Sequence, residues 1–423
     1  MTLIKTSLLN AIAVMIKMIT LLGINKILAI YVGPAGYAAL GQFQNAVQMI
    51  TTFASGAINT GVTKYTAEYY EDALKQQQVW RTAGTIAIIG SIITSVIIAV
   101  FNQPLAAWFL KNDSYGGVFL WFAATLVFFT LNTLLLAILN GKKAIGRYVL
   151  ANIAGSVFAF VATTIMAIQW GLYGALIALA IYQSITFFVT LLICYKADWF
   201  KISYLFGQID RQIALNLGKF TAMALTSAAC GPISQILIRD HLGASFGWTA
   251  AGYWEAMWRL SNAYLLLATT TLSVYYLPRL SELKDAIDIK KEILQGYKII
   301  LPVAALSALS IYLCRDMIIP LLFTQEFLPM RELFAWQMIG DTLKIGSWIL
   351  AFLMLSKAML KLFIITEIIF SISFVVLTWV LTKTIGFQGV AVAFAANYAA
   401  YWIVIFFFIY QNLAEKNVTK PLD

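Results

Sequence analysis

Of the 423 residues, 61% are hydrophobic and 11% charged, and mean hydropathy is +0.82; a soluble domain would carry about 25% charged residues. The chain is therefore read as an integral membrane protein, and a water-soluble domain is excluded. A net charge of +10 does not point to nucleic acid, because the basic residues sit in short connections between apolar runs and form no stripe with aromatics.

Twelve apolar segments are predicted, at about 8–32, 38–62, 83–103, 117–139, 149–168, 174–195, 213–238, 251–277, 297–314, 332–356, 362–382 and 389–410. Proline and glycine mark many of the joints: Gly33-Pro34, Pro104, Gly116-Gly117, Gly141, Gly171, Pro278 and Gly386. The first run is too long and too charged for a signal sequence and is expected to remain as the first spanning helix. It carries Lys17 near mid-depth and Lys26 close enough to the far end to snorkel. Nine residues apart, the two lysines fall on opposite faces of a straight helix, so they are expected to do different jobs.

Orientation follows from the basic residues. With the N-terminus inside, Lys64, Lys75, Arg81, Lys142, Lys143, Arg147, Lys196, Lys201, Lys290 and Lys291 are among the many on the cytoplasmic side. The other side holds Lys111, Arg239, Arg315, Arg331 and Lys383. Both termini are thus expected in the cytoplasm.

The segments divide into equal halves: residues 1–195, a connection over 196–212, residues 213–411, and a tail over 412–423. KYTAEYYEDALKQQQVWR follows the second segment and RLSELKDAIDIKKEI follows the eighth. Both open basic, turn acidic and close basic, as a short interfacial amphipathic helix would. The fold class expected is all-α and polytopic, with two pseudo-symmetric six-helix lobes and a substrate site where the repeats face each other.

Charges at depth are costly and are usually kept only where they face protein or water. Asp341 and Lys344 lie near the middle of the tenth segment at i and i+3, where they can partly neutralise each other. With Lys17 they are read as lining a water-filled cavity with one net positive charge, suited to an anionic group. Glu255 and Arg259, at i and i+4 of the eighth segment, read equally as a cavity lining or as a self-satisfied pair. Lys219, Glu367, Arg239 and Asp240 are close enough to an interface to snorkel. Polar and aromatic residues at depth, including Asn10, Gln44, Gln48, Trp254, Trp258 and Tyr264, suit sugar recognition but also ordinary interhelical bonding. His241 is the only histidine, and Cys194, Cys230 and Cys314 have no near partners, so no metal site, disulfide or cofactor is expected. Proton or sodium coupling through Asp341 or Glu255 is left open.

Several strings resemble the Wzx-type flippases: GPAGY (33–37), GVTKYTAEYYED (61–72), GKFTAMAL (218–225), SVYYLPRLSEL (273–283) and LFAWQMIGDTLKIG (333–346). These are the O-antigen and enterobacterial common antigen (lipid III) translocases of lipopolysaccharide and polysaccharide assembly, in the MOP superfamily that also holds the MATE exporters. The resemblance implies twelve transmembrane helices in two MATE-like lobes around a central cavity. It also implies an oligosaccharide on undecaprenyl pyrophosphate, moved between leaflets of the bacterial inner membrane by alternating access. Lys17, Lys26, Asp341 and Lys344 fall where the family carries charges, whereas Arg259 does not. A polysaccharide polymerase and a chain-length regulator are the implied partners, beside membrane lipid. The rival readings are a polytopic polymerase or glycosyltransferase, and a MATE-type small-molecule exporter. The first outer loop, about YVGPAGY, lacks the carboxylates of such transferases, and the cationic balance at mid-depth does not suit cationic drugs.

Overall fold

The computed structural model describes the backbone of residues 3–283, 285–357 and 359–418, and most side chains from 12 to 410. Asn10, Lys219 and the tail over 412–423 lie outside the described side chains. Every regular element among the described residues is helical. The chain forms two compact units, Met1–Ile236 and Leu237–Asp423.

The first unit holds α1 (Leu3–Tyr31), α2 (Gly33–Ala54), α3 (Asn59–Glu68), α4 (Ala73–Val100), α5 (Asn102–Leu110), α6 (Gly116–Gly141), α7 (Ile145–Tyr195) and most of α8 (Arg211–Phe246). Its core gathers Val62, Trp80, Leu134, Ile138 and Cys194, so this cysteine packs as a small hydrophobe. α1 lies along α7, and the Tyr37 hydroxyl of α2 donates to the carbonyl of Asn25 in α1. The start of α8 stays with this unit: Thr221 Oγ1 donates to the Gly56 carbonyl (3.0 Å), and Gln42 Nε2 to that of Ile236 (3.4 Å).

The second unit adds α9 (Trp248–Tyr264), α10 (Leu266–Thr271), a π-helical stretch (Leu272–Tyr276), α11 (Leu277–Glu282), α12 (Ala286–Leu313), α13 (Arg315–Leu322), α14 (Phe334–Ser356), α15 (Leu360–Ile385) and α16 (Gly389–Val418). α14 packs closely on α16, and glycine makes that possible. A Cβ at Gly340 would meet Phe394 at 2.4 Å, and one at Gly346 would meet Trp402 at 2.6 Å.

The expected fifth and sixth segments form one 51-residue element, α7. Straight, it would run about 76 Å, more than twice a hydrocarbon core of roughly 30 Å. It folds back at Gly171, whose φ of 56° and ψ of −133° are open only to glycine without strain. Three residues on, a Cβ at Gly174 would lie 1.9 Å from the Met166 carbonyl oxygen. The eleventh and twelfth segments repeat this arrangement. Gly386 has φ 73° and ψ −154°, and a Cβ at Gly389 would lie 2.5 Å from the Thr382 nitrogen. The strings are GLYG and GFQG. Short helices also recur in matching places, α5 before α6 and α13 before α14.

Among the described residues, seven helical stretches are long and apolar enough to cross a membrane, and two of these are the 51-residue stretches Ile145–Tyr195 and Leu360–Tyr410. The segments expected at 38–62, 213–238 and 251–277 are not among the seven. The first is broken at Ser55–Ile58, with Gly56 at φ 64° and Ala57 at φ 54°. The last is interrupted by the π-helical stretch and carries Glu255 and Arg259.

The mixed-charge stretches expected as interfacial helices are corners instead. α3 ends at Glu68, a turn follows, and Asp72 caps α4 by accepting from the Lys75 backbone N–H at 3.0 Å. That bond holds the Asp72 carboxyl below the usual carboxylate range. α11 and α12 occupy the matching places in the second unit. The charges are shared between the end of a short helix and the start of a long one, so each stretch is divided and not one amphipathic helix.

Candidate functional site

The charged residues predicted at depth include two clusters of the second unit and one helix of the first. In the first cluster, Asp341 on α14 is 0% exposed and accepts from Tyr264 Oη of α9 at 2.7 Å and from Gln337 Nε2 at 3.1 Å. Gln337, one turn earlier on α14, also donates to Ser261 Oγ of α9 at 3.2 Å. The carboxylate is thus held between two helices by neutral donors.

Lys344 is 4% exposed, and among the described residues no ion pair joins it to Asp341. Its ammonium instead lies 4.8 Å from the ring centres of Trp258 and Trp348 and 5.9 Å from that of Tyr398. The two charges act on each other through space, as their i, i+3 spacing implied, but without a direct ion pair: the carboxylate is hydrogen-bonded to hydroxyl and amide donors, and the ammonium lies against aromatic faces. The expected open, wet setting is corrected, since α9, α14 and α16 close over both groups through the glycine contacts at 340 and 346. A desolvated cation–π contact is worth about 2 kcal/mol, whereas burying an ammonium costs several. Lys344 therefore keeps a strong drive toward an anionic partner.

The second cluster is built on Glu255. Its Oε1 is 2.7 Å from Arg259 Nε, in the i, i+4 pair expected, and its Oε2 is 2.6 Å from Arg239 Nη1 of α8. Arg239 is 1% exposed, so it does not snorkel to an interface; the carboxylate and the packed interior hold it. Sequence reasoning missed this third member because α8 and α9 meet through tertiary packing. Two guanidiniums around one carboxylate form a rigid, net cationic brace.

In α1, the exposed apolar side chains Ile12, Met15, Ile19 and Ile30 project to one side of the helix, as expected of a lipid-facing stripe. At 100° per residue, Lys17 lies about 160° around the helix from them, and Lys26 lies among them. Lys17 is exposed, has no ion pair among the described residues, and points away from the apolar stripe. Lys26 is half-buried. The two lysines are therefore placed differently, as their spacing implied. Gln44 and Gln48 are exposed, and Trp254 is fully buried in the core with Phe374 and Phe394. No group of three or more His, Cys, Asp or Glu residues that could hold a metal occurs among the described residues.

The architecture is that of an all-helical, multi-pass membrane protein of MATE-like fold. A solved multidrug-resistance MATE family transporter of the MOP superfamily, in its inward-facing conformation, superposes with a TM-score of 0.77 at 16% identity, over 96% of each chain. A MATE structure in complex with MaL6 gives 0.72 at 18% identity, over 98% of this chain and 97% of the other. At such identities the likeness establishes the fold. The family model described as "Polysaccharide biosynthesis protein" matches residues 3–284, and the chain belongs to that family. It is 31% identical over 403 residues to the "Lipid III flippase" of Escherichia coli (strain K12), covering 95% of this chain and 97% of that one. The Shigella flexneri protein of the same name matches equally. The class is transporter, not enzyme.

Proposed function

We propose that this protein is a flippase for a lipid-linked oligosaccharide, carried on undecaprenyl pyrophosphate from the cytoplasmic to the periplasmic leaflet of the bacterial inner membrane. The end-to-end 31% identity to lipid III flippases carries this reading. The two six-helix halves, 1–195 and 213–411, act as the bodies of an alternating-access cycle, with both termini in the cytoplasm, as the distribution of lysine and arginine favours. A pyrophosphate is a compact polyanion that needs fixed cations. Lys17 and Lys344 are the best-suited of the predicted residues: one is exposed off the apolar stripe, the other is buried against aromatic rings with no ion pair among the described residues. Lys26 is a secondary contact. Glu255 and Arg259 are better read as structural, since the carboxylate is saturated by two arginines. Asp341, bound only by neutral donors, is then the carboxylate open to a coupling proton or sodium ion.

The test is deletion in a host with no second flippase of this kind. Labelled lipid-linked repeat units should accumulate on the inner leaflet and polymer should stop, both reversed by the wild-type gene. A normal leaflet distribution with polymer still made would remove the reading.

A further inference from the structure

α12 and α14 leave between them an open groove of about 490 Å³ inside the second unit. Its lining combines three small side chains, Ala305, Ala308 and Ala335, with larger apolar ones that include Leu309, Ile339 and Leu343. Tyr312 and Thr342 bring the only hydroxyls, and Thr342 Oγ1 is already spent on the Met338 carbonyl at 3.0 Å. A site with so little hydrogen-bonding capacity, between two stretches apolar enough to span a membrane, takes hydrocarbon. The groove lies toward the C-terminal end of α12 and the N-terminal end of α14. In the orientation proposed above, that is the periplasmic half of the bilayer.

We propose that this groove binds the isoprenoid chain of the lipid carrier on the periplasmic side, after the headgroup has crossed; the inference rests on the flippase reading. Two observations favour an isoprenoid over a straight acyl chain. The small side chains of Ala305, Ala308 and Ala335 leave room for side methyls, which acyl chains lack. Ala305 and Ala308 are three residues apart, a rise of about 4.5 Å, close to the spacing of methyl branches along an isoprenoid. At roughly 30 Å³ per carbon-sized group the groove holds about 16 carbons, or three isoprene units.

The position also links the groove to the polar cluster. Thr342 and Leu343 line the groove, while their neighbours Asp341 and Lys344 are buried on the opposite side of the same turn of α14. Filling the groove therefore bears on the helix that holds both charges. A chain seated here as the headgroup leaves would favour one position of α14 over another, giving the carrier tail a part in resetting the cycle.

The experiment is photolabelling of the full-length protein in phosphatidylethanolamine–phosphatidylglycerol vesicles. One sample carries diazirine-tagged undecaprenyl phosphate, the other diazirine-tagged phosphatidylglycerol, and labelled residues are mapped by mass spectrometry. The isoprenoid probe should label 305–312 and 335–343 at least ten times more than the acyl probe, and untagged undecaprenyl phosphate should compete. Ala308→Trp and, separately, Ala335→Phe should each cut that labelling about tenfold with an unchanged elution profile in detergent. Two variants from opposite walls keep the test decisive where one does not fold. Equal, uncompeted labelling by both probes would mean ordinary boundary lipid and overturn the proposal, as would isoprenoid labelling confined to other helices. Leaflet transport is measured on the same vesicles. Transport with no groove labelling sinks the groove alone, whereas selective labelling without transport sinks the flippase reading and leaves an isoprenoid site.

Discussion

Glu255→Gln isolates the buried brace of the second unit. The substitution keeps the side-chain shape but removes the charge that faces Arg239 at 2.6 Å and Arg259 at 2.7 Å. Arg239 has 1% of its side chain exposed, so water cannot replace the lost carboxylate, while Arg259 has 14% and is partly relieved. Breaking a buried pair by removing one partner costs about 3–5 kcal/mol. For a cooperative unit of this size, each kcal/mol lowers Tm by about 2–4 °C, so a fall of roughly 6–20 °C is expected. Arg259→Gln should cost less, because Glu255 keeps Arg239. Combining Glu255→Gln with Arg239→Gln should recover part of the loss, since no uncompensated guanidinium then remains at that position. The measurement is thermal unfolding of the full-length protein in detergent, followed by intrinsic tryptophan fluorescence. A Glu255→Gln protein that unfolds within about 1 °C of wild type would refute the reasoning.

Transport assays separate the other residues. Lys17→Ala and Lys344→Ala should each lower leaflet transfer of a lipid-linked oligosaccharide at least tenfold with normal yield and elution, whereas Lys26→Ala should fall by no more than a few fold; normal transport in both of the first two would end the cationic-site argument. Asp341→Asn keeps one of the two acceptor oxygens, for the bond from Gln337, and offers an amide N–H that the Tyr264 hydroxyl can accept; it should abolish any dependence of transport on a proton or sodium gradient, measured in vesicles with the gradient imposed or collapsed. Gradient-dependent transport by the variant would clear Asp341 of that role.

Much of the fold was legible because its breaks are written in glycine. Gly171 and Gly386 sit where a left-handed backbone is required, and Gly33 precedes Pro34 at the start of α2 with φ 70°. The apolar runs themselves follow from length and hydropathy. What composition could not show is where a helix is interrupted without leaving the membrane. The break at Ser55–Ile58 includes Ala57 at φ 54°, which no propensity favours. The π-helical stretch Leu272–Tyr276 is equally silent, since LSVYY reads as continuous helix. The corner at Asp72 was hidden by its charge pattern, which fits an amphipathic helix as well as a turn and a cap.

At the candidate site, the sequence identifies which groups are expensive but not what relieves the expense. Lys344 stood out because an ammonium at mid-depth needs a partner, and the nearest opposite charge along the helix was Asp341. Two of the three rings come from elsewhere: Trp258 lies on α9 and Tyr398 on α16, far apart in the chain. The readable partners are Trp348, one turn after Lys344, and Gln337, one turn before Asp341, both on α14. The consequence reaches function. Had Asp341 formed a salt bridge with Lys344, the pair would be a packing device like Glu255 with its arginines, and an anion would have to break it to bind. With the carboxylate hydrogen-bonded to Tyr264 and Gln337 and acting on the ammonium only through space, an arriving anion displaces weak cation–π contacts and no salt bridge. That difference makes Lys344 the stronger candidate for a ligand contact, and leaves Asp341 free to respond to a second ion.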